Sequence, residues 1–440
     1  MRTFHGGVHP AEEKHLTENS AFEIFQPKSQ IILPLGQHLG KQANPKVKKG
    51  TAVVTGELIA EADGFISAPV HSPVCGTVAS ITKTDSVSGF PKDSIVITPN
   101  EQSEKKLLPF LDPEIITADE IRQRVADAGI VGQGGAAFPT SVKLTPPKDK
   151  IIDQVILNGC ECEPYLTRDY RFMLERPDAV VSGLKLIMKA LGVQKGIIGI
   201  EDNKPEAAVK LNANLKSSDG IKVLVLKTKY PQGAEKMLIK AATGKEVPVG
   251  KLPLDVGIVI QNVGTAVSIH DAVVKGEPLI TAALTVSGKG IKNPKNVIVP
   301  VGTPILDVID FCGGVTEDAA KVVVGGPMMG VAQFNLSAPV MKATSGIVVL
   351  TRKEVEEKDE TPCLRCGQCV DACPLGLMPT KLARYTQLEK YEAAEDIGVT
   401  VCMECGTCAF TCPANIPLVQ WIRLGKQKVG QLQRKRAVSK

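Results

Sequence analysis

Eight of the chain's twelve cysteines fall into two runs with the same spacing. The first is Cys363-x2-Cys366-x2-Cys369-x3-Cys373 followed by Pro374. The second is Cys402-x2-Cys405-x2-Cys408-x3-Cys412 followed by Pro413. Cysteines two residues apart curl around one inorganic cube. The fourth is carried past it to a neighbouring cube, and the proline suits the start of a helix. The spacing therefore predicts two 4Fe–4S clusters with exchanged fourth ligands. Cluster 1 takes Cys363, Cys366, Cys369 and Cys412; cluster 2 takes Cys402, Cys405, Cys408 and Cys373. Zinc also accepts paired C-x2-C ligands, but its four-coordinate chemistry does not call for a C-P ending twice. Neighbouring clusters pass single electrons, so electron transfer is the chemistry this segment implies.

Residues 1–10 contain no apolar stretch of the kind that directs export, so the cysteines read as metal ligands, not disulfides. No apolar window approaches the ~18 residues of a membrane-spanning helix. A length of 440 residues calls for several cores. A net charge of only +5 and 4% aromatic residues argue against nucleic acid as partner. After Pro417 there is no acidic residue, while Arg423, Lys426, Lys428, Arg434, Lys435, Arg436 and Lys440 follow. That pattern reads as a solvated basic tail, or as a docking strip for an acidic partner or an anionic membrane surface.

Residues 28–100 carry short β-prone runs, Ile31–Leu33, Thr51–Val54, Gly64–Ile66 and Gly76–Ala79, closely punctuated by Gly and Pro. The Val47–Val78 stretch resembles a biotinyl/lipoyl barrel-sandwich module. Its tip, Glu61-Ala62-Asp63-Gly64, lacks the modifiable lysine. Residues 112–250 alternate helical and strand signals: helices over Ala118–Ala128 and Pro177–Leu191, strands over Gln154–Leu157, Lys195–Ile200 and Ile221–Leu226. Such alternation predicts a mostly parallel sheet with covering helices. Short strands return over 255–335. Lys353–Glu360 reads as a charged, helix-prone linker, and Leu382–Ala393 as a helix between the cysteine runs.

Gly132-Gln133-Gly134-Gly135 forms a glycine-rich loop with Lys143 nearby. Free amides there could cradle a phosphate, though a structural turn would look similar. Gly244-Lys245 imitates a P-loop, but Glu246 stands where Ser or Thr is required. Polar clusters follow three β-like runs: Asn158–Pro164, Tyr230–Glu235 and Gln261–Thr265. Ligands of open α/β sheets bind at such carboxyl ends, so these segments are expected to converge with the glycine loop. The six histidines share no spacing and read as structural. Cys75 and Cys312 read as packing residues, and Cys160 and Cys162 sit in the polar loop after a strand.

With Phe4-His5-Gly6-Gly7-Val8-His9-Pro10 and Gly325-Gly326-Pro327-Met328-Met329-Gly330, these motifs make the whole chain resemble the C subunit of the Rnf complex. That complex is a membrane-bound ferredoxin:NAD oxidoreductase coupled to ion translocation. The central part is similar to the FMN- and NADH-binding subunit of respiratory complex I. The resemblance implies a multidomain α+β protein. A barrel-sandwich hybrid domain would cover 1–108, a Rossmann-like α/β FMN domain 109–254 and a β-grasp SLBB domain 255–345. A linker would follow at 346–361, a bacterial-type two-cluster 4Fe–4S ferredoxin domain at 362–422 and a basic tail at 423–440.

It further implies non-covalent FMN held by Gly132, Gln133, Gly134, Lys143, Asn158, Glu161, Cys162, Tyr230, Gly233, Glu235, Gln261, Asn262 and Thr265. NAD(H), the substrate, would meet Phe138, Glu163 and Glu235. The chain departs from the complex I pattern at Gln133, where arginine is usual, and at Cys160, Cys162, Ala234, Gln261 and Gly264. The implied partners are the membrane and ferredoxin-like subunits of the Rnf complex, on the cytoplasmic face of the membrane. The alternatives are an electron-wire or assembly subunit with a degenerate flavin site, and a diaphorase subunit of a soluble hydrogenase-type complex.

Overall fold

A computed structural model describes residues 2–355 and 359–438. The middle of the charged Lys353–Glu360 stretch lies outside the described residues, as does Lys440 of the basic segment.

The central domain is built on four parallel strands, β1 (Gln154–Gly159), β2 (Gly196–Glu201), β3 (Ile221–Leu226) and β4 (Ile258–Asn262), in the order β3-β2-β1-β4. Every residue of β2 is buried, as a parallel strand covered on both faces requires. Helix Ala118–Asp127 opens on a capping box between Thr117 and Glu120. Helix Pro177–Leu191 has proline in its first turn and Gly192 in the left-handed region just beyond its end. A Cβ on Gly183 would lie 2.0 Å from the Ala266 carbonyl, so only glycine lets this helix meet helix Val263–His270. Strand order reverses between β1 and β4, where Asn158 and Asn262 stand in register. A crevice opens outside the carboxyl ends of the strands at such a reversal.

The boundary expected at 254/255 moves, because β4 and helix Val263–His270 belong to the central domain. A short apolar run before a turn reads alike whether it ends one sheet or begins the next. The following six-stranded sheet runs Phe22–Ile24, Lys295–Pro300, Thr281–Ser287, Gly346–Thr351, Ala319–Val324, Val331–Gln333. It extends past residue 345 and borrows an edge strand from the N-terminal segment. Two small antiparallel sheets form the N-terminal β module, and its Ile31, Leu33, Ile59, Ile95 and Ile97 share one core with the six-stranded sheet. Gly64–Ile66 is a bend, not a strand, with Phe65 and Ile66 exposed at its tip.

Between the cysteine runs there are two α-helices, Pro379–Gln387 and Tyr391–Asp396, where one was expected; Glu389 breaks them at φ 55°. The basic segment continues helix Leu418–Val438, which buries Ile422 and Val429. Arg423 and Lys426 both pair with Glu404, and Arg436 pairs with Glu392 and Glu395. Much of that charge is therefore neutralised within the domain. Among the described residues no helix is long and apolar enough to cross a membrane.

Candidate functional site

The crevice at the strand reversal draws together the four polar segments. The Gln133 amide donates to Thr265 Oγ1 at 2.9 Å, and Gln133 Nε2 donates to Ser268 Oγ at 2.6 Å. Asn158 Nδ2 donates to the Gly233 carbonyl at 2.7 Å, and the Gly233 amide donates to Cys162 Sγ at 3.2 Å. A Cβ on Gly233 would sit 3.2 Å from that sulfur, so the two segments pack closely there. Lys143 Nζ meets Glu235 Oε1 and the Ile260 carbonyl, both at 3.1 Å. Phe138 is half-buried, and its carbonyl closes the glycine loop by accepting the Gly132 amide at 2.8 Å. The tip of that loop, Gly134 to Ala136, stays exposed.

Beneath the crevice, two buried lysines hold the Cys160–Leu166 loop by its carbonyls. Lys14 Nζ donates to Glu161 O at 2.8 Å, Glu163 O at 3.0 Å and Leu166 O at 2.6 Å. Lys204 Nζ donates to Cys160 O at 2.8 Å and lies 3.5 Å from Glu201. Burial and the charge of Lys204 lower the pKa of Lys14, while burial raises that of Glu201. Glu161 turns away from solvent to accept the amides of Asp169 at 2.6 Å and Tyr170 at 3.2 Å, capping helix Arg168–Glu175. Burial raises its pKa as well. Burial also pushes the thiols of Cys160 and Cys162 well above the usual thiol range.

Two observations fit this crevice to a polar, anionic ligand such as FMN. Gln232 and Gln261, almost fully buried at 0% and 2% exposure, keep side-chain polar atoms without a hydrogen-bond partner, as does Thr140. Buried groups of this kind ordinarily have partners. The second is Arg168, 1% exposed, whose guanidinium is paired with the Asp169 carboxylate and whose Nη2 also donates to Asn262 Oδ1 at 3.1 Å. It lies 3.4 Å from a Cβ built on Gly264 and 3.7 Å from one built on Gly134. Arg168 thus brings a buried guanidinium to the glycine loop, in a chain whose loop residue is Gln133. Sequence reasoning missed it, because an arginine opening a helix looks like surface charge. Lys143, the cation expected near a phosphate, is committed to Glu235.

The cysteine runs trace the same path twice. Arg365 and Glu404, each just before the second cysteine, have φ 57° and 61°; Gly367 and Gly406, each just after it, have φ 81° and 86°. The amides of Arg365 and Glu404 point at Cys363 Sγ and Cys402 Sγ at 3.4 and 3.3 Å. Cys373 joins Cys402, Cys405 and Cys408 around one hollow, closed by Leu382 and Ile422. Cys412 leaves its own run to pack near Cys369. Among the described residues no three metal-binding side chains converge at single-ion spacing. Cys363 and Cys366 are exposed, whereas Cys405 and Cys408 are each 7% exposed.

Crevice and cysteine domain abut. Tyr230 Oη, on the crevice loop, donates to the Cys405 carbonyl at 2.6 Å. The Gly7 amide donates to the Ala372 carbonyl at 2.9 Å, while Val8 and Tyr230 exchange backbone hydrogen bonds at 2.8 and 2.9 Å. Glu163, expected at a nucleotide, accepts the amides of Met328 at 3.0 Å and Met329 at 2.9 Å. The N-terminal phrase and the late glycine phrase thus both serve to seat the second cysteine set against the crevice.

Comparison with known proteins agrees with this geometry. Residues 2–102 match the RnfC barrel sandwich hybrid domain and 125–271 the Nuo51 FMN-binding domain. Residues 284–332 match the SLBB domain and 356–413 a 4Fe-4S dicluster domain. The chain is 49% identical to the C subunit of the proton-translocating ferredoxin:NAD(+) oxidoreductase complex of Clostridium ljungdahlii, over 96% of this chain and 93% of that one. It is 45% identical to the C subunit of the Na(+)-translocating complex of Acetobacterium woodii, over 98% of both. With the C subunit of the ion-translocating oxidoreductase complex of Rhodobacter capsulatus it shares 44%, over 97% of this chain and 83% of that one. An NAD+-reducing [NiFe]-hydrogenase in the H2-reduced state shares the fold, with TM-score 0.52 and 20% identity over 72% of this chain and 62% of that one. The four matched domains and the near-full-length identities place this chain in the RnfC family, the C subunits of ion-translocating ferredoxin:NAD oxidoreductase complexes.

Proposed function

We propose that this chain is the peripheral NAD(H)-oxidoreducing subunit of an Rnf complex, exchanging electrons between NAD(H) and FMN and passing them singly through two 4Fe–4S clusters. One observation carries the reading: the crevice that fits FMN abuts the cysteine hollow, joined by the Tyr230–Cys405 hydrogen bond. Bound FMN supplies the exchange between the two-electron hydride of NADH and the one-electron traffic of iron–sulfur clusters. The chain's own residues bind and orient. Gly134 offers its amide and Arg168, already paired with Asp169, a guanidinium edge to a phosphate, while Gly132 shapes the turn with its amide bonded to Phe138 and Gln133, Asn262 and Thr265 brace that end. Asn158, Cys162, Gly233 and Tyr230 form the wall nearest the cysteine hollow, fixed from below by Lys14 and Lys204. Phe138 and Glu235 stand at the exposed side, where a nucleotide enters. Cys363, Cys366, Cys369 and Cys412 would ligate cluster 1, and Cys402, Cys405, Cys408 and Cys373 cluster 2. Ion translocation then belongs to the partner subunits, with this chain docked on them at the cytoplasmic face of the membrane.

Anaerobic reconstitution of the full chain with iron, sulfide and FMN tests the reading. Stoichiometric FMN and bleaching of both flavin and clusters on adding NADH are expected. Clusters that form on a chain taking up no FMN would favour the electron-wire alternative.

A further inference from the structure

The late glycine phrase is built around the side chain of Glu163. Its carboxylate oxygens accept the Met328 and Met329 amides, one each. A Cβ on Gly326 would lie 2.3 Å from Glu163 Oε2 and 2.5 Å from its Cβ, and one on Gly330 would lie 2.4 Å from the Gly326 carbonyl. Gly325 takes φ 95°, in the left-handed region. Only a glycine turn closes this tightly over a carboxylate. On its far side the turn meets the second cysteine run: the Met328 carbonyl stands 2.9 Å from a Cβ built on Gly406, between Cys405 and Cys408. Met328 also packs against the cluster of Val8, Tyr230, Ala372 and Cys405. On its near side, Lys14 fixes the Glu163 carbonyl.

Glu163 therefore stands at the head of a short rigid chain: crevice loop, Glu163 carboxylate, Met328–Met329 amides, Met328 carbonyl, Gly406. We propose that Glu163 is a positioning residue for electron transfer, clamping the glycine turn so that the Cys402/Cys405/Cys408/Cys373 set is held at a fixed separation from the flavin crevice. This assigns its carboxylate to the protein's own backbone and not to the nucleotide. The inference rests on the functional reading above. Electron transfer needs no contact between donor and acceptor, only a held spacing, and a carboxylate pinning two amides supplies one. Tyr230 makes a second, independent bond across the same joint, so loss of the clamp loosens the joint without parting it.

The test uses the full-length chain with the variants Glu163→Gln, which keeps shape and one acceptor, and Gly326→Ala, which opens the clamp from the other side. Amide hydrogen exchange at Met328 and Met329 is measured without cofactors. In the reconstituted protein, flavin and cluster bleaching are followed separately after rapid mixing with NADH. Both variants are expected to speed exchange at those two amides, and to slow the cluster phase, by on the order of tenfold. Gly326→Ala should leave the flavin phase at the wild-type rate. The proposal is overturned if Glu163→Gln leaves the exchange and the cluster phase unchanged and raises KM for NADH, which would make it a nucleotide contact. Faster exchange with an unchanged cluster phase also overturns it, reducing the clamp to packing. A wild-type chain with no NADH-driven flavin phase sinks the functional reading instead, and unchanged amide exchange in the variants would then still refute the clamp.

Discussion

The two cysteine runs share spacing, left-handed residues and amide-to-sulfur contacts, yet they face different surroundings. The set that includes Cys363 and Cys366 opens outward, with Leu364 and Phe410 exposed beside it. The set of Cys402, Cys405, Cys408 and Cys373 is closed in by Tyr230, Met328, Val8 and the basic helix. Ligand spacing fixes which cofactor forms, but it does not say what the cofactor faces. That comes from residues far away in sequence, and it gives two chemically equal sites an inner and an outer position.

The largest effect comes from the exchanged ligands. Cys373→Ala should lower iron from about eight to about four per chain, although Cys373 belongs by sequence to the outer run. The cluster that survives should be the exposed one, so a chelator strips it quickly. Cys412→Ala should give the converse, a protected survivor. Iron analysis with timed chelation separates the two, and equal lability would erase the inner–outer distinction. Lys14→Met comes next. It leaves three carbonyls without their donor and should lower stability by about 3–5 kcal/mol, read as a fall in Tm. The inner cluster should lose its protection, with the outer one unaffected. Tyr230→Phe removes only the hydroxyl bonded to the Cys405 carbonyl. About 1 kcal/mol is expected, with faster chelation confined to the inner cluster.

The smallest effect is a pH dependence. Burial pushes Glu163 up to about 7, against the pull of the Met328 and Met329 amides and of Lys14. A carboxyl whose pKa is higher in the folded chain than in the unfolded one keeps its proton when the unfolded chain has lost it. Its contribution to stability is therefore fully present below the unfolded value and falls as pH rises towards about 7. Denaturant titrations across that range should show a shallower decline for Glu163→Gln than for the native chain.

What the sequence revealed follows from distance along the chain. The ligand sets were readable because each run holds three ligands within seven residues and its proline marks the turn. The parallel sheet was readable because β2 and β3 are mostly apolar runs, broken only by Lys222 within β3 and by Glu201 at the end of β2. The glycine loop was readable from its composition and the three polar segments as strand-end features, and the structure gathers them. Lys14, Arg168 and the backbone bonds of Glu163 were not readable. Lys14 finds its carbonyls about 150 positions away, and Glu163 finds its amides 165 and 166 positions away. No local periodicity marks such pairs. The helix expected over Leu382–Ala393 failed for a local reason, since propensity alone does not reveal a left-handed residue at Glu389.

Arg2, Gly7 and Val8 find their partners at Ala242, Ala372 and Tyr230. Gly7 and its neighbours thus wait for residues far downstream, in the cysteine domain, before they can settle. The central sheet can assemble while they wait, but the seam closes only when the cysteine domain has emerged and folded around its iron and sulfide. Cluster insertion is in this sense a late checkpoint of synthesis, and iron starvation should accumulate chains with a formed middle and an unsecured leading end.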